Sequence, residues 1–467
     1  MNIKQLKPLI VILGLISFLL QVKAQDSRVL YFMNYNPYSS YTNPGIPSHS
    51  RLYIGIPILS NLNISVYNSS LHYNKLFKAN ETGTTVTADK FVNSLKKVNW
   101  LNTSMNIELL GFGFKADDLF VSVGYRIRFE EYFSFPDVLF KLPVKGNMAY
   151  IDAPAEMKKL RLNAMAYHEL SVGLQYKLND QLSIGIRPKL LMGLANINTK
   201  NSYFKLTTDP QTYEINIQEQ LHVNTAMVVN LDSVDVMQIL PNVFKNFGFG
   251  IDLGATYQFN DHFGVSAAVT DLGFIKWKTN PHTFRSEVVD GGSFYQDGGF
   301  CFSGLNTNSL NMDSLNDGGV DQVVGQYTDS LLNYFPLEQS YKPYTSSTYA
   351  KIYLSGYYRI NKQNAFTLMF RGDIIGKSFL PSFTFAYSGN FFNLLDVYAT
   401  YSIIGRNYLN VGAGLGLRLG PIQLYAATDN ILAAFMPLNS PVLNVQMGLM
   451  VNISDKKSKK IISETDN

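Results

Sequence analysis

The chain is poor in the residues that most site chemistry needs. Its 467 residues include one cysteine, Cys301, so neither an intrachain disulfide nor a thiolate metal cluster can form. Charged residues reach only 16%, against roughly 25% in an average soluble domain. Tryptophan is scarce at 2 residues, although Tyr 29 and Phe 31 bring the aromatics to 13%. Long apolar runs are missing too. Only Pro8 to Leu20 is nearly continuous, short of the about 20 residues that a bilayer-spanning helix needs. That excludes a helical membrane protein, and a hydrophobic content of 46% excludes intrinsic disorder. A soluble multidomain protein and a membrane β-barrel remain.

The N-terminus reads as an export signal. Lys4 and Lys7 precede the apolar stretch Pro8–Leu20, and Val22-Lys23-Ala24 leads into Gln25. A cationic start, a short apolar run and a small residue before the cut describe a secretory signal peptide over residues 1–24. Cleavage there removes three lysines and no acid, taking the net charge from +4 to +1. A nearly neutral mature chain has no electrostatic basis for binding nucleic acid. Cys301 is far from the cut, so no lipid-anchored N-terminal cysteine is present.

Past the signal the hydrophobic period is two. Leu119, Val121, Val123, Tyr125, Ile127 and Phe129 alternate with Ser122, Gly124, Arg126 and Arg128. Phe247 to Phe259 alternates in the same way around Asp252, Thr256 and Gln258, as do Leu409 to Leu419 and Leu443 to Ile453. Alternation puts one residue set on each face of a strand. Several runs reach ten residues or more, the length about 9–11 that a tilted membrane strand needs, against about 5–6 in soluble sheets.

Turn-forming residues join these runs in pairs, at Lys115–Asp118, Asn179-Asp180, Asn260-Asp261, Asn361–Asn364, Ser388-Gly-Asn390 and Leu419-Gly-Pro421. Longer segments separate the pairs, at 130–162, 195–246, 271–348 and 429–441. Short turns at one end and long loops at the other are the pattern of an outer-membrane barrel. The expectation is therefore an all-β protein, a transmembrane antiparallel β-barrel of about 14 strands (range about 12–16). It would occupy residues 25–453, in contact with outer-membrane lipids, and residues 454–467 would form a periplasmic tail. No repeat of fixed period appears, which argues against a propeller or solenoid.

Certain stretches carry a family resemblance. Tyr167-His-Glu-Leu-Ser-Val-Gly-Leu-Gln-Tyr-Lys177 leads through a short turn into Leu182–Gly193. Farther on stand Val269-Thr-Asp-Leu-Gly-Phe-Ile-Lys-Trp277 and Gly420-Pro-Ile-Gln-Leu-Tyr-Ala-Ala-Thr-Asp-Asn430. Together they resemble an uncharacterised Bacteroidota outer-membrane β-barrel family, distantly similar to FadL-type and PorV/PorP-like barrels, over most of residues 26–453. A FadL-type resemblance implies about 14 strands, an N-terminal segment plugging the lumen, and diffusion of apolar substrates. No ligand-site motif of that type matches here residue by residue. The chain also departs from the frequent terminal aromatic, running past Ile453 through Asp455-Lys-Lys-Ser-Lys-Lys460 to Asn467.

Candidate lumen-lining residues are Glu108, Arg126, Arg128, Glu169, Arg187, Lys189, Asp252, Arg359, Arg371 and Asp373. They read either as a pore lining that selects solutes by charge or as paired charges in a packed or plugged interior. Asp271 and Asp429-Asn430, where strands give way to loops, read as turn caps. Trp100, Trp277 and the tyrosines read as an interfacial aromatic girdle. Ala88–Val98 has Phe91, Leu95 and Val98 at helical spacing, for a short helix in the barrel or at its rim.

Segment 286–338 holds eight Asp and Glu residues without a Lys or Arg. It reads as a long acidic extracellular loop. Asp313–Val324 fails the calcium-loop pattern, because its third position is Leu315 and its twelfth Val324.

No HExxH, Gly-x-Ser-x-Gly elbow or phosphate loop is present, so no catalytic, cofactor-binding or metal residues are assigned and the chain is not read as an enzyme. The leading expectation is a diffusive channel for a small apolar or amphipathic solute, with a small hydrophobic ligand as its binding partner. The alternative is a non-transporting docking barrel whose partner is an exported protein.

Overall fold

The computed structural model describes residues 27–69, 77–80, 83–86, 88–151, 153–211, 215–227, 244–286, 300–301, 337–405, 407–435, 440 and 442–454. The expected signal peptide, most of the acidic segment and the tail beyond Ser454 lie outside the described residues.

Fourteen antiparallel strand positions close a barrel. Two collinear pieces, Ser50–Gly55 and Leu62–Asn68, together form β1. There follow β2 (Val98–Ala116), β3 (Leu119–Pro136), β4 (Arg161–Lys177), β5 (Leu182–Thr208), β6 (Phe247–Gln258) and β7 (Phe263–Trp277). The second half comprises β8 (Ala350–Arg359), β9 (Asn364–Ile375), β10 (Ser378–Phe391), β11 (Leu395–Ile404), β12 (Asn407–Leu419), β13 (Ile422–Thr428) and β14 (Val442–Ser454). Each strand pairs with its neighbour in sequence, and both pieces of β1 pair with β2 on one side and β14 on the other. Closure leaves no wall edge with unpaired backbone groups, which is the condition for standing in hydrocarbon.

Alternation sorts the faces as the sequence dictates. Leu170, Val172 and Leu174 on β4 and Phe379, Phe383 and Phe385 on β10 face outward and are exposed. Ser171, Thr384 and Ser382 face inward and are buried. Short turns form at 117–118, 178–181, 259–262, 360–363 and 420–421. The turn expected at Ser388-Gly-Asn390 lies instead at Phe392-Asn393, both at positive φ (55° and 53°). Ser388, Gly389 and Asn390 stay in register with Tyr398, Val397 and Asp396, and Asn390 Nδ2 donates to Asp396 Oδ1 at 2.5 Å.

At the opposite end the segments expected as loops carry more strand. The 27 residues of β5 would span roughly 90 Å if extended, about three times the hydrocarbon core. Its far half pairs with Ile215–Met227, which pairs with His282–Ser286, which in turn pairs with Leu337–Ser340. A helix forms at Ala88–Ser94 and another at Val138–Lys145. They meet through Phe91 and Phe140, ring centroids 5.3 Å apart, at the end of the barrel that carries the long connections.

Two bulges reset which side chains face in. On β2 the register shifts between Glu108 and Leu110, and on β7 between Val269 and Leu272, opposite Ile251 and Leu253. A single extra residue flips the phase of everything beyond it. Trp277 is therefore fully buried in the interior, its Nε1 donating to Ser346 Oγ at 2.8 Å, and not part of an outer girdle.

Fourteen strands enclose more space than wall side chains can fill, since about eight already suffice for that. Here residues 27–49 occupy the interior as two short 3₁₀ turns, Val29–Phe32 and Pro37–Tyr41, with the chain then descending to β1. Val29, Leu30, Tyr31, Phe32 and Met33 pack with Tyr53, Tyr353, Met369, Tyr398, Tyr425 and Met450 of the wall. Glycines make room for this segment. A Cβ on Gly185 would lie 2.0 Å from Pro44 O, and one on Gly254 would lie 2.0 Å from Asn43 Oδ1.

Candidate functional site

The inward positions of β2 to β8 hold a belt of ion pairs at mid-height. Glu108, Arg126 and Glu169 stand directly opposite one another on β2, β3 and β4. Arg187 and Asp252 are opposite on β5 and β6. Opposite charges at such positions sit within easy reach of each other. Arg126 donates to Glu169 Oε1. Arg128 reaches Glu169 Oε2 at 2.8 Å, Glu130 Oε1 at 2.5 Å, Asp271 Oδ1 at 2.5 Å and Asn106 Oδ1 at 3.0 Å. Lys189 Nζ lies 2.5 Å from Asp271 Oδ1 and 2.7 Å from Asp252 Oδ1. Lys351 Nζ lies 2.7 Å from Asp271 Oδ2. All of these side chains are buried.

Asp271 is the hub. The turn-cap reading of this residue is corrected: it accepts from Arg128, Lys189 and Lys351 together. Its backbone sits at φ 57° on the β7 bulge. Asp252 Oδ1 accepts Asp271 N at 2.7 Å, and Thr348 Oγ1 donates to Asp271 O at 2.6 Å. A non-glycine residue in this left-handed region needs such support. Sequence reasoning missed Glu130 and Lys351 as members of the belt. Glu130 is half of a Glu-Glu pair in which Glu131 is buried as well, which obscured the alternation.

The remaining candidates stand apart from the belt. Arg371 Nε donates to Asp373 Oδ1 at 2.8 Å, and Asp373 lies 3.9 Å from Arg28 of the N-terminal segment. Arg359 is at the short-turn end, donating to Gln258 Oε1 at 3.0 Å with its guanidinium 4.8 Å from the Tyr357 ring.

The N-terminal segment is keyed into this framework at two points. Two guanidinium groups lie over the Tyr41 ring, Arg126 at 3.8 Å and Arg187 at 4.2 Å from its centroid, and the Tyr41 hydroxyl donates to Glu108 Oε1 at 2.8 Å. Arg187 also donates to Ser40 Oγ at 2.8 Å. Cation–π contacts strengthen when desolvated, as these are.

The second key is Asp429: Asn430 caps the local turn through Oδ1, which accepts from Leu432 N at 3.2 Å, whereas the Asp429 side chain reaches across to the first turn of the buried segment. Its carboxylate accepts from Ser27 Oγ at 2.9 Å, Arg28 N at 2.8 Å and Tyr67 Oη at 2.6 Å, and its Oδ2 lies 3.3 Å from Arg28 Nη1. Arg28 Nη1 in turn donates to Tyr67 Oη at 2.5 Å. Together the two keys pin both ends of the buried segment.

On the outer face, Tyr125 and His168 stack, with Tyr125 Oη 2.9 Å from His168 Nδ1.

Mixed, mutually neutralised charge gives the belt no single sign. Its chemical capacity is to position the N-terminal segment and to shape the interior.

No curated protein matches the sequence. Among solved structures the chain is similar to the toluene transporter TbuX of Ralstonia pickettii, at 9% identity and a TM-score of 0.40, covering 89% of this chain and 94% of that one. It is similar also to the toluene transporter TodX of Pseudomonas putida, at 9% identity and a TM-score of 0.37, covering 89% and 92%. A FadL homologue of Pseudomonas aeruginosa matches at 9% identity and a TM-score of 0.36, covering 89% and 91%. Residues 44–429, from the elbow of the buried segment to its Asp429 anchor, match one family over most of the chain: the protein belongs to the family described as "Family of unknown function (DUF5723)".

Proposed function

We propose that the protein is an outer-membrane channel that passes a small apolar or amphipathic solute by diffusion, with residues 27–49 as the element that closes its lumen. One observation carries this reading. The interior is filled by a segment outside the wall, held by side-chain keys at Tyr41 and Asp429, so the lumen is closed by non-covalent contacts that can release and not by the wall itself. The surfaces that the segment covers are largely aromatic and aliphatic, including Tyr53, Tyr353, Met369, Tyr398 and Met450, and suit a solute with an apolar body. The balanced ionic belt supports neither an anion-selective nor a cation-selective pore.

Uptake of the hydrophobic dye N-phenyl-1-naphthylamine by a porin-deficient Gram-negative host tests the proposal. Expression of the protein should accelerate uptake, and a Tyr41→Ala/Asp429→Ala variant should accelerate it further. No acceleration by either, from barrels shown to be folded, would refute it.

The docking alternative keeps one supporting observation. The sheet built on the far half of β5 with Ile215–Met227 and His282–Ser286 offers a platform beyond the barrel. Co-purification with an exported protein, without dye uptake, would favour that reading.

A further inference from the structure

Where the barrel closes, three adjacent strands turn neutral amides and hydroxyls inward. Register sets Asn106 of β2, Asn63 of β1 and Gln446 of β14 in one row, and Ser104, Ser65 and Asn444 in the next. All six are buried. The second row is bonded within itself and to the Asp429 anchor: Asn444 Nδ2 donates to Ser65 Oγ, and Asn444 Oδ1 accepts from Asp429 N at 3.1 Å.

The first row is bonded at Asn106, which accepts from Arg128 Nε at 3.0 Å, and open at Asn63 and Gln446. Gln446 Nε2 donates to Asn61 Oδ1 at 3.0 Å, but Gln446 Oε1 and both Asn63 Nδ2 and Asn63 Oδ1 have no protein partner. A buried amide unsatisfied at both ends is costly, and an apolar residue of similar size would avoid the cost. The contrast with the neighbouring stretch of wall, which begins at Glu108 two residues along β2, is sharp. There the buried segment is held by two cation–π contacts and a charge-assisted hydrogen bond.

We infer that the Asn63–Gln446 row is a binding seat for an uncharged group that both donates and accepts hydrogen bonds, a hydroxyl or a primary amide. The open atoms comprise one amide donor, at Asn63 Nδ2, and two amide acceptors, at Asn63 Oδ1 and Gln446 Oε1. None of the six row residues is charged, and the cation that touches them, Arg128 at Asn106 Oδ1, is already paired with Glu130, Glu169 and Asp271, so an ionised head group would lose its hydration here with no free counter-charge to replace it. The seat deepens the channel reading, on which it rests, by naming the head group of an amphipathic solute, whose apolar part would lie against the aromatic surfaces of the lumen.

Native mass spectrometry of the full mature chain in detergent tests this with three probes of equal length: decan-1-ol, decanamide and decanoate. The alcohol and the amide should form adducts, with decanoate at least tenfold weaker. Asn63→Leu and Gln446→Leu should each weaken the decanamide adduct at least tenfold, while Lys362→Ala in a short turn leaves it unchanged. Heat-dependent gel mobility identifies folded barrels, and the two leucine variants sit on different strands, so either one suffices. Equal binding of decanoate, or undiminished decanamide binding in a folded leucine variant, overturns the seat. Failure of wild type to bind the alcohol or amide while still admitting N-phenyl-1-naphthylamine overturns the seat and leaves the channel standing. Failure of binding and dye uptake together removes both.

Discussion

Replacing Asp271 by leucine should be among the most damaging single changes to this barrel. Its carboxylate lies 2.5 Å from Arg128, 2.5 Å from Lys189 and 2.7 Å from Lys351, and all four side chains are buried. Removing one partner from a buried ionic cluster leaves uncompensated charge and costs about 3–5 kcal/mol. With a urea dependence of about 3 kcal/mol per molar, the unfolding midpoint should fall by roughly 1–2 M. Tryptophan fluorescence in lipid vesicles reads this directly, because buried Trp277 is on the same strand as Asp271. A second variant isolates the mechanism. Asp271→Asn combined with Lys351→Met removes one charge of each sign, and should recover at least about 1 kcal/mol relative to Asp271→Asn alone. A loss below about 1 kcal/mol for Asp271→Leu, the range of exposed pairs, would refute the picture of a dry, cooperative belt. So would a double variant no more stable than the single one.

Other expectations concern the buried segment and the outer face. Gly185→Val should push Pro44 off the wall, since even a Cβ would lie 2.0 Å from Pro44 O; planar-bilayer conductance should rise while the heat-modifiable barrel band persists. Asp429→Ala should free Ser27 and Arg28, so that trypsin cleaves after Arg28 in the folded variant but not in wild type, as mass spectrometry would show. Leu354→Arg puts a charge on the exposed outer face of β8 and should cost about 2–4 kcal/mol in vesicles if that position lies near the bilayer midplane, lowering the urea midpoint; no change would mean that this face does not meet acyl chains.

The wall was legible in the sequence because most of each strand obeys one rule. Leu170, Val172 and Leu174 against Ser171 and Gly173 give both the strand and its orientation, and the short turns at 117–118 and 420–421 fall where Asp, Gly and Pro stand. Departures come where a local signal has two meanings. Asp271 follows a strand-like run, as turn caps do, yet it occupies a bulge whose existence depends on Asp252 of another strand. The same bulge reverses the facing of Trp277, and no periodicity within β7 announces it. Ser388-Gly-Asn390 has turn composition, but Asp396 draws Asn390 inward and the turn moves to Phe392. The belt was half visible. Its inward arginines and carboxylates could be named one strand at a time, but their pairing is set by register between strands. The interior course of residues 27–49 rests on anchors from 67 to 402 residues away and has no local signature.

The position of the Asp429 anchor ties the buried segment to the seam where the ring closes. The segment it holds precedes the first strand, and the anchor itself precedes the last. Because β1 must bridge β2 and β14, the ring is sealed only when the final strand arrives, joining residues nearly 400 apart in sequence. Asp429 N donates to Asn444 of that final strand while its carboxylate holds Ser27 and Arg28, so the plug and the seam share one residue, and loosening either should loosen the other.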